Sequence, residues 1–426
     1  VGILGLGTVG AGLVDAFLRK NDAIAEQVGC PISLAKVLVR DLRKPRSIAL
    51  PPDLLTDRPE DVLDDPDIHI VVEALGGEEP AFTYIQRAIR HGKHIVTPNK
   101  EVIAKHGPDI LDLAREYNAD VHYEASVGGG IPLIAAFKQD LVANEIRQIR
   151  AIINGTTNYI LTRMDTLGLP FDAALREAQE LGYAEPDPRN DIEGTDAAYK
   201  LAILAALAFQ IRAAPEDIYR EGITELTPAD FAYARAMGYA IKLLAIGRRR
   251  DGAVELRVHP TLVPREALLA RVEGPFNAVE VEGDLTGKVV FYGRGAGPRP
   301  TASALLADII DIAQDVLRRY AEHTPRLLID PTRRVLPMDE VESAYYLRLT
   351  ALDEPGVLAF VASTLAEANV SVASIVQRTG ATDTHPAEIV IVTHPTREAN
   401  LRAVVERLGR SPKLLAVPRP LRVESE

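Results

Sequence analysis

"VGILGLGTVGAGLVDAFLRK", residues Val1–Lys20, decides the fold. The apolar run Val1–Leu4 stops at a glycine, and glycine returns at Gly7 and Gly10 in the spacing G-x-G-x-x-G. Beyond them the apolar residues recur at helical intervals. A buried strand, a glycine turn and a helix in that order form the first unit of a dinucleotide-binding domain. The glycines allow the tight turn and let the backbone approach a pyrophosphate, which the helix N-terminus stabilises. Gly5, Gly7, Thr8, Val9 and Gly10 are therefore candidate cofactor-binding residues, and an unliganded glycine turn is the competing reading. The next strand, "ISLAKVLVR", ends at Val39. An acidic residue there would favour the free ribose hydroxyl of NAD. The chain instead reads "RDLRKPR", so Arg40 and Lys44 point to a 2′-phosphate and NADP(H), while Asp41 keeps NAD(H) open.

Working outward, "IHIVVEAL", "KHIVTP" and "ADVHYEASV" read as strands alternating with the helices "PAFTYIQRAIRHG" and "EVIAKHGPDILDLAREY". That alternation predicts a parallel sheet covered on both faces. Residues 1–130 form this Rossmann-type domain, completed by an amphipathic helix at about 299–321. Residues 131–298 read as an α+β catalytic and dimerisation domain with a mostly antiparallel sheet and a hairpin at Asp251–Gly252. A Pro- and charge-rich linker, 322–342, leads to 343–426, whose β-α-β-β-α-β order is ferredoxin-like.

Charge narrows the function. Forty-eight Lys and Arg against 60 Asp and Glu leave a net charge of −12, which argues against a nucleic-acid partner. Hydrophobic residues make up 47% and charged residues 25%, an ordinary globular balance. Cys30 is the single cysteine, so no intrachain disulfide forms and a reducing, cytoplasmic compartment is expected. Neither a membrane span nor a signal peptide is read. The chain opens on a strand without Met and is expected to be trimmed.

The chemistry concentrates in "ELGYAEPDPRNDIEGTDAAYKLAILAALAF", residues Glu180–Phe209. Asp196 and Lys200 stand at i and i+4 and share a helix face, and the nine residues after Lys200 are all apolar. An exposed pair of this kind contributes little. A buried one is different: desolvation lowers a lysine pKa and a neighbouring carboxylate raises it, which suits proton delivery near neutral pH. Glu185 and Asp191 in the preceding acidic loop suit a substrate ammonium. "NGTTNY", Asn154–Tyr159, reads either as a helix cap or as a carboxylate site built from backbone N–H groups and the Thr156 and Thr157 hydroxyls. Thr97 and Lys100 in "VTPNKE" follow the carboxyl end of a strand, where ligands gather in open α/β sheets, and both are candidate cofactor-binding residues. "EASVGGG" reads as an interdomain hinge or a cation loop that includes Glu124.

"NGTTNYIL" followed by "LGYAEPDPRNDIEGTDAAYKLAIL" closely resembles the homoserine dehydrogenase signature, and "GLGTVG", "TPNK", "EASVGGGIP" and "GRGAGPRPTASALLADI" match that family in the same order. "DEPGVLA" and "ANVSVASIVQ" resemble an ACT domain, a regulatory amino-acid-binding module. The resemblance implies reversible NAD(P)H-dependent reduction of L-aspartate 4-semialdehyde to L-homoserine. Within it, Lys200 donates the proton, Lys100 shares that work beside the cofactor, and Asp196 positions Lys200. Glu185 and Asp191 bind the substrate amino end, and Tyr183, Gly155 and Thr156 line the pocket. Gly295 and Gly297 approach the cofactor. The carbonyls of Val127, Gly129 and Ile131, with Glu124 through its side chain or carbonyl, form a site for Na⁺ or K⁺. Threonine is the expected effector, and a homodimer or dimer of dimers the expected assembly. A chain cut after about Met338 is expected to keep catalysis and lose feedback. An aspartate-semialdehyde dehydrogenase would need a nucleophilic cysteine, and Cys30 lies far in sequence from the Lys200 segment. A non-catalytic amino-acid sensor is the rival of another class, opposed by Lys100, Asp196 and Lys200.

Overall fold

A computed structural model of the chain describes residues 1–46, 48–318, 329–378 and 386–424. The first part of the expected linker, 322–328, and the end of the expected 299–321 helix lie outside them. Along the chain come β1 (Gly2–Leu4), α1 (Thr8–Val28), β2 (Lys36–Leu38), β3 (Leu55–Thr56), α2 (Glu60–Leu63), β4 (Ile70–Glu73), α3 (Ala81–Arg90), β5 (His94–Val96), α4 (Lys100–Glu116), β6 (Val121–His122) and α5 (Ile134–Lys138). Next are β7 (Ile146–Ile152), α6 (Gly155–Leu167), α7 (Phe171–Glu180), α8 (Arg189–Ile192), α9 (Thr195–Phe209), β8 (Tyr219–Arg220) and α10 (Pro228–Ala236). The hairpins β9 (Tyr239–Arg250)/β10 (Ala253–Pro264) and β11 (Phe276–Gly283)/β12 (Gly287–Arg294) precede α11 (Pro298–Arg318). Last come β13 (Arg334–Val335), β14 (Glu342–Ala351), α12 (Val357–Glu367), β15 (Val372–Arg378), β16 (Ala387–Thr393), β17 (Thr396–Arg397), α13 (Glu398–Gly409), β18 (Leu414–Ala416) and β19 (Leu421–Val423).

The chain forms two compact units. One holds residues 1–148, 199–217 and 277–333; the other holds 149–198, 218–276 and 334–426. In the first unit the sheet order is β3-β2-β1-β4-β5-β6, with parallel pairing throughout. The order reverses between β1 and β4, which opens a crevice at the carboxyl ends of those strands. α1 stops where Gly29 turns left-handed at φ 93° and its N–H caps the Ala25 carbonyl. The apolar face of α1, through Leu13, Val14 and Phe17, shares a core with Leu305, Ile309 and Ile312 of α11. Only Lys36–Leu38 of the expected strand "ISLAKVLVR" pairs as a strand, and the expected helix "IPLIAAFKQDLV" is regular only over Ile134–Lys138.

In the second unit, neighbouring strands run β7-β9-β10-β19-β14-β16-β15. The β9/β10 hairpin turns at Asp251–Gly252, with Arg250 opposite Ala253 and Gly252 at φ 70°. Tyr345, Leu347 and Leu349 of β14 pack with Val361 and Leu365 of α12 and Leu401, Val404 and Leu408 of α13. The closing strand expected over "PKLLAVPRPLRV" divides in two, because Pro418 and Pro420 carry no N–H for the ladder. β18 pairs with β14, while β19 lies between β14 and β10, with Arg422 opposite Tyr345 on one side and Thr261 on the other. That insertion of the last strand beside β10 is absent from the sequence reading.

The buried side chains around β19 are charged. Arg422 donates to Glu221 at 2.7 Å, to both Glu398 oxygens at 3.1 and 2.5 Å, and to the Tyr219 hydroxyl at 3.1 Å. Burial works against this guanidinium's charge, but the Glu221 and Glu398 carboxylates outweigh it and hold the pKa above the usual value. Glu424 accepts from Arg257 at 2.9 Å and from Arg248 at 2.9 Å.

Candidate active site

The first unit carries a cleft of about 590 Å³ lined by Gly5, Gly7, Thr8, Arg40, Asp41, Lys44, Arg46 and Leu75, among others. Gly5 sits at φ 100°, and a Cβ there would lie 2.6 Å from the Ala74 carbonyl, so the turn between β1 and α1 requires glycine. Gly7 differs. A Cβ there would meet nothing within 4 Å, so the space beside it is open at the N-terminus of α1, where a pyrophosphate fits. Val9 turns away to pack on the core shared by α1 and α11. Around the mouth, Asp41 accepts the Arg43 N–H at 2.8 Å, and Arg46 donates to the Lys44 carbonyl at 2.8 Å. Arg40 and Lys44 remain exposed on the cleft wall.

Lys100 is the first residue of α4 and half-buried. Its helix is capped by Asn99, whose Oδ1 accepts the Val102 N–H at 3.2 Å. Thr97, fully buried, donates its hydroxyl to Glu73 at 2.6 Å. Glu73 is a carboxylate that the sequence reading passed over, since it looked like the polar end of a strand.

The Glu124 loop answers one expectation. Both carboxylate oxygens are already engaged: Oε1 accepts from the N–H of Leu133 at 2.6 Å and Ile134 at 2.9 Å, and Oε2 from Ala135 at 2.7 Å. The side chain therefore caps α5, and does not fit a cation ligand. Among the described residues no cluster of three or more His, Cys, Asp or Glu is arranged to hold a metal. Val127, Gly129 and Ile131 are buried, with Gly128 and Gly129 both at positive φ. Gly295 is glycine for packing, because a Cβ there would fall 1.8 Å from Asn277 Nδ2. Gly297 holds φ 120° at the turn into α11.

In the second unit Asn154 is the organising residue. It caps α6 through Oδ1, which accepts the Thr157 N–H at 2.8 Å. Its Nδ2 donates to Asp191 at 2.7 Å and to Asp196 at 2.8 Å, so one amide joins two predicted acidic residues. The Thr156 hydroxyl donates to the Tyr183 carbonyl at 2.7 Å, and the Thr157 hydroxyl to Asn154. Both hydroxyl protons are thus committed within the fold, contrary to their expected part in a carboxylate site, and the cap reading describes them. Gly155 lies against the Pro275 carbonyl, 2.9 Å from where a Cβ would stand. Tyr183 is exposed and tilts on Tyr159 with ring centroids 4.9 Å apart, and Glu185 is exposed on the same loop.

Helix α9 passes from the second unit into the first. It carries Asp196, 3% exposed, and Lys200, 8% exposed, one turn apart. The expected burial of this charged pair is therefore observed. Sequence spacing could find Asp196 and Lys200. It could not find the Asn154 amide, which bridges positions far apart in the chain.

Comparison with known proteins follows the same outline. The family profile described as homoserine dehydrogenase matches residues 132–310, that family's NAD-binding domain matches 5–124, and the ACT domain matches 345–412. Homoserine dehydrogenase of Neisseria gonorrhoeae is 45% identical over 95% of this chain and 94% of its own length. The crystal structure of a homoserine dehydrogenase from Thiobacillus denitrificans covers all of this chain and 97% of its own, with 44% identity and a TM-score of 0.92. A hyperthermophilic archaeal homoserine dehydrogenase, solved in complex with NADPH, covers 76% of this chain and 98% of its own, at 26% identity and a TM-score of 0.63. Dinucleotide cleft, acidic cap and terminal domain agree in order with these matches: the chain belongs to the homoserine dehydrogenase family, with an ACT domain at its C-terminal end.

Proposed function

We propose that this homoserine dehydrogenase, an NAD(P)-dependent oxidoreductase acting on L-aspartate 4-semialdehyde and L-homoserine, uses Lys200 as its proton donor and prefers NADP(H). The observation that carries the site reading is the Asn154 amide holding Asp191 and Asp196, one helical turn before a buried lysine. The dinucleotide supplies the hydride that reduces the aldehyde carbon. Lys200 Nζ gives the carbonyl oxygen its proton, so aldehyde, hydride and proton sum to the alcohol. Asp196 orients that ammonium, and Lys100 shares the proton work from the start of α4. Asp191 and Glu185 hold the substrate amino group, with Tyr183, Gly155 and Thr156 around it. A monovalent cation, Na⁺ or K⁺, would be held by carbonyls of Val127, Gly129, Ile131 and Glu124, since the Glu124 carboxylate is committed to α5. The ACT domain binds an amino-acid effector, for which L-threonine is the proposal, and the family likeness supports a homodimer.

NADP(H) is favoured by the exposed Arg40 and Lys44 on the cleft wall and by the NADPH held in the archaeal relative. Charge-assisted contacts of this kind contribute about 1.5–3 kcal/mol each. Lys44→Ala should therefore raise the KM for NADP⁺ roughly 10- to 100-fold and leave that for NAD⁺ within about twofold. Equal changes for both cofactors would remove the 2′-phosphate reading. The reaction itself is checked by following reduced-nicotinamide absorbance with L-homoserine and NADP⁺, then NAD⁺, each with and without L-threonine. Homoserine-dependent reduction, faster with NADP⁺, is the expected result. Silence in both directions of the reaction with Na⁺ or K⁺ present would return the sensor reading.

A further inference from the structure

β4 ends on a carboxylate that no solvent reaches. Glu73 is 0% exposed, pairs with Leu4 of β1, and stands at the crevice where the sheet order reverses. Its two oxygens serve different loops. Oε1 accepts the N–H of Leu75 at 2.7 Å and of Gly76 at 3.4 Å, in the turn that follows β4. Oε2 accepts the hydroxyl of Thr97 at 2.6 Å, in the turn that follows β5. Thr97 Oγ1 in turn accepts the Asn99 N–H at 3.0 Å, and Asn99 Nδ2 returns to the Gly77 carbonyl at 2.8 Å. The circuit closes on itself. Its next residue is Lys100, and Leu75 lines the dinucleotide cleft.

A buried carboxyl is a costly way to join two loops, because burial disfavours its charge. Burial pushes the Glu73 carboxyl above its usual pKa, and the Thr97 hydroxyl and the Leu75 and Gly76 N–H groups pull it back. What recommends the carboxylate is its chemistry as an acceptor at both oxygens. Glutamine would turn an N–H donor toward either the Thr97 hydroxyl or the Leu75 N–H. The three donors that converge here come from backbone and hydroxyl groups that set where the two loops stand.

We infer that Glu73 is a positioning residue for the hydride-transfer site: through Thr97 and Asn99 it fixes Lys100 relative to the Leu75–Gly77 turn, whose first residue lines the dinucleotide cleft. The inference builds on the reading that Lys100 works beside the nicotinamide. Glu73 itself touches neither substrate nor reacting atoms in this role. A small shift of a catalytic group is enough to slow chemistry strongly, while most of the cleft lining, Gly5–Thr8 and Arg40–Arg46, lies outside the circuit, which reaches the cleft only at Leu75.

The test compares Glu73→Gln, Thr97→Val, Thr97→Ser, the Glu73→Gln/Thr97→Val double variant and Lys100→Ala in the full chain. Glu73→Gln and Thr97→Val should each lower kcat roughly 10- to 100-fold, with the dinucleotide dissociation constant within about threefold of wild type. Thr97→Ser, which keeps the hydroxyl, should restore kcat. The double variant should be no slower than the slower single variant, as expected for residues acting as one unit. Should Glu73→Gln fail to fold, the Thr97 pair decides alone. A purely structural role predicts losses in thermal stability with kcat unchanged in the folded fraction, and that result overturns the inference. So does equal impairment by Thr97→Ser and Thr97→Val. Wild-type turnover in Lys100→Ala would overturn the reading of Lys100 first, and this inference with it.

Discussion

Lys200→Ala is expected to lower kcat by roughly 10²- to 10⁴-fold, the usual contribution of a positioned general acid, while the dinucleotide still binds with an affinity within about twofold of wild type. The separation follows from geometry. The cleft lined by Gly5, Gly7, Arg40 and Lys44 draws on the turn after β1, the start of α1 and the loop after β2, and Lys200 lies on α9. Lys200 is 8% exposed and followed by an apolar run, so water is a poor substitute donor at its position. Lys200→Arg keeps the charge but holds its proton too tightly to give it up near neutral pH, and is expected to be nearly as slow. Asn154→Ala should fall between: it removes the amide that holds Asp191 and Asp196 together, leaving the lysine in place but poorly directed. Equilibrium fluorescence titration with reduced dinucleotide, beside steady-state kcat, checks all three. Wild-type kcat in Lys200→Ala would remove it as the donor.

The second large effect concerns stability. Arg422→Ala leaves Glu221 and Glu398 buried without their shared cation. Breaking a buried charge cluster from one side costs about 3–5 kcal/mol. For a body of this size that is a fall in Tm of roughly 6–20 °C. Arg422→Met with Glu221→Gln and Glu398→Gln should recover most of the loss, because no unpaired charge then remains. Thermal unfolding of the single and triple variants decides the matter, and equal Tm values for wild type and Arg422→Ala would dismiss the ion cluster as a stabilising element. The same contacts revise the expectation for a chain cut after Met338. That cut removes β14 and β19, uncovers the β10 edge at Thr261–Leu262, and deprives fully buried Arg257 of Glu424. The shortened protein is expected to misfold or aggregate, not to survive as an unregulated catalyst. Sizing chromatography and turnover of the truncated chain test this; a monodisperse, active product would show that β10 tolerates an open edge.

What could be read in the sequence was local. Gly5, Gly7 and Gly10 are legible because a backbone conformation and a close approach dictate glycine at fixed offsets. Asp196 and Lys200 are legible because helical spacing puts them on one face and the apolar run after them implies burial. The residues that escaped act across the chain. Asn154 looks like a helix cap, and it is one, but its remaining N–H groups reach acidic residues on α8 and α9. Glu124 reads equally as a side-chain or a carbonyl cation ligand in the sequence, and only the structure shows its carboxylate oxygens on the α5 backbone, which leaves the carbonyl for that part. Glu73 ends a strand in the sequence and joins two turns in space. The β10–β19 pairing has no local signature, since no turn connects them and both strands read equally well with other neighbours.

The place of β19 in the sheet also sets a clock. About 160 residues separate Leu262 from Arg422 in the chain. At ribosomal rates of about 5–20 residues per second, the edge of β10 waits roughly 8–30 s for the strand that covers it. Throughout that interval Arg257 lacks Glu424 and Glu221 lacks Arg422, and a half-made sheet presents open hydrogen-bonding groups to any neighbour. Closure of this part of the second unit therefore waits on the synthesis of Leu421–Glu424. Nascent chains stalled before Leu421 are the molecules of this protein with most need of a chaperone.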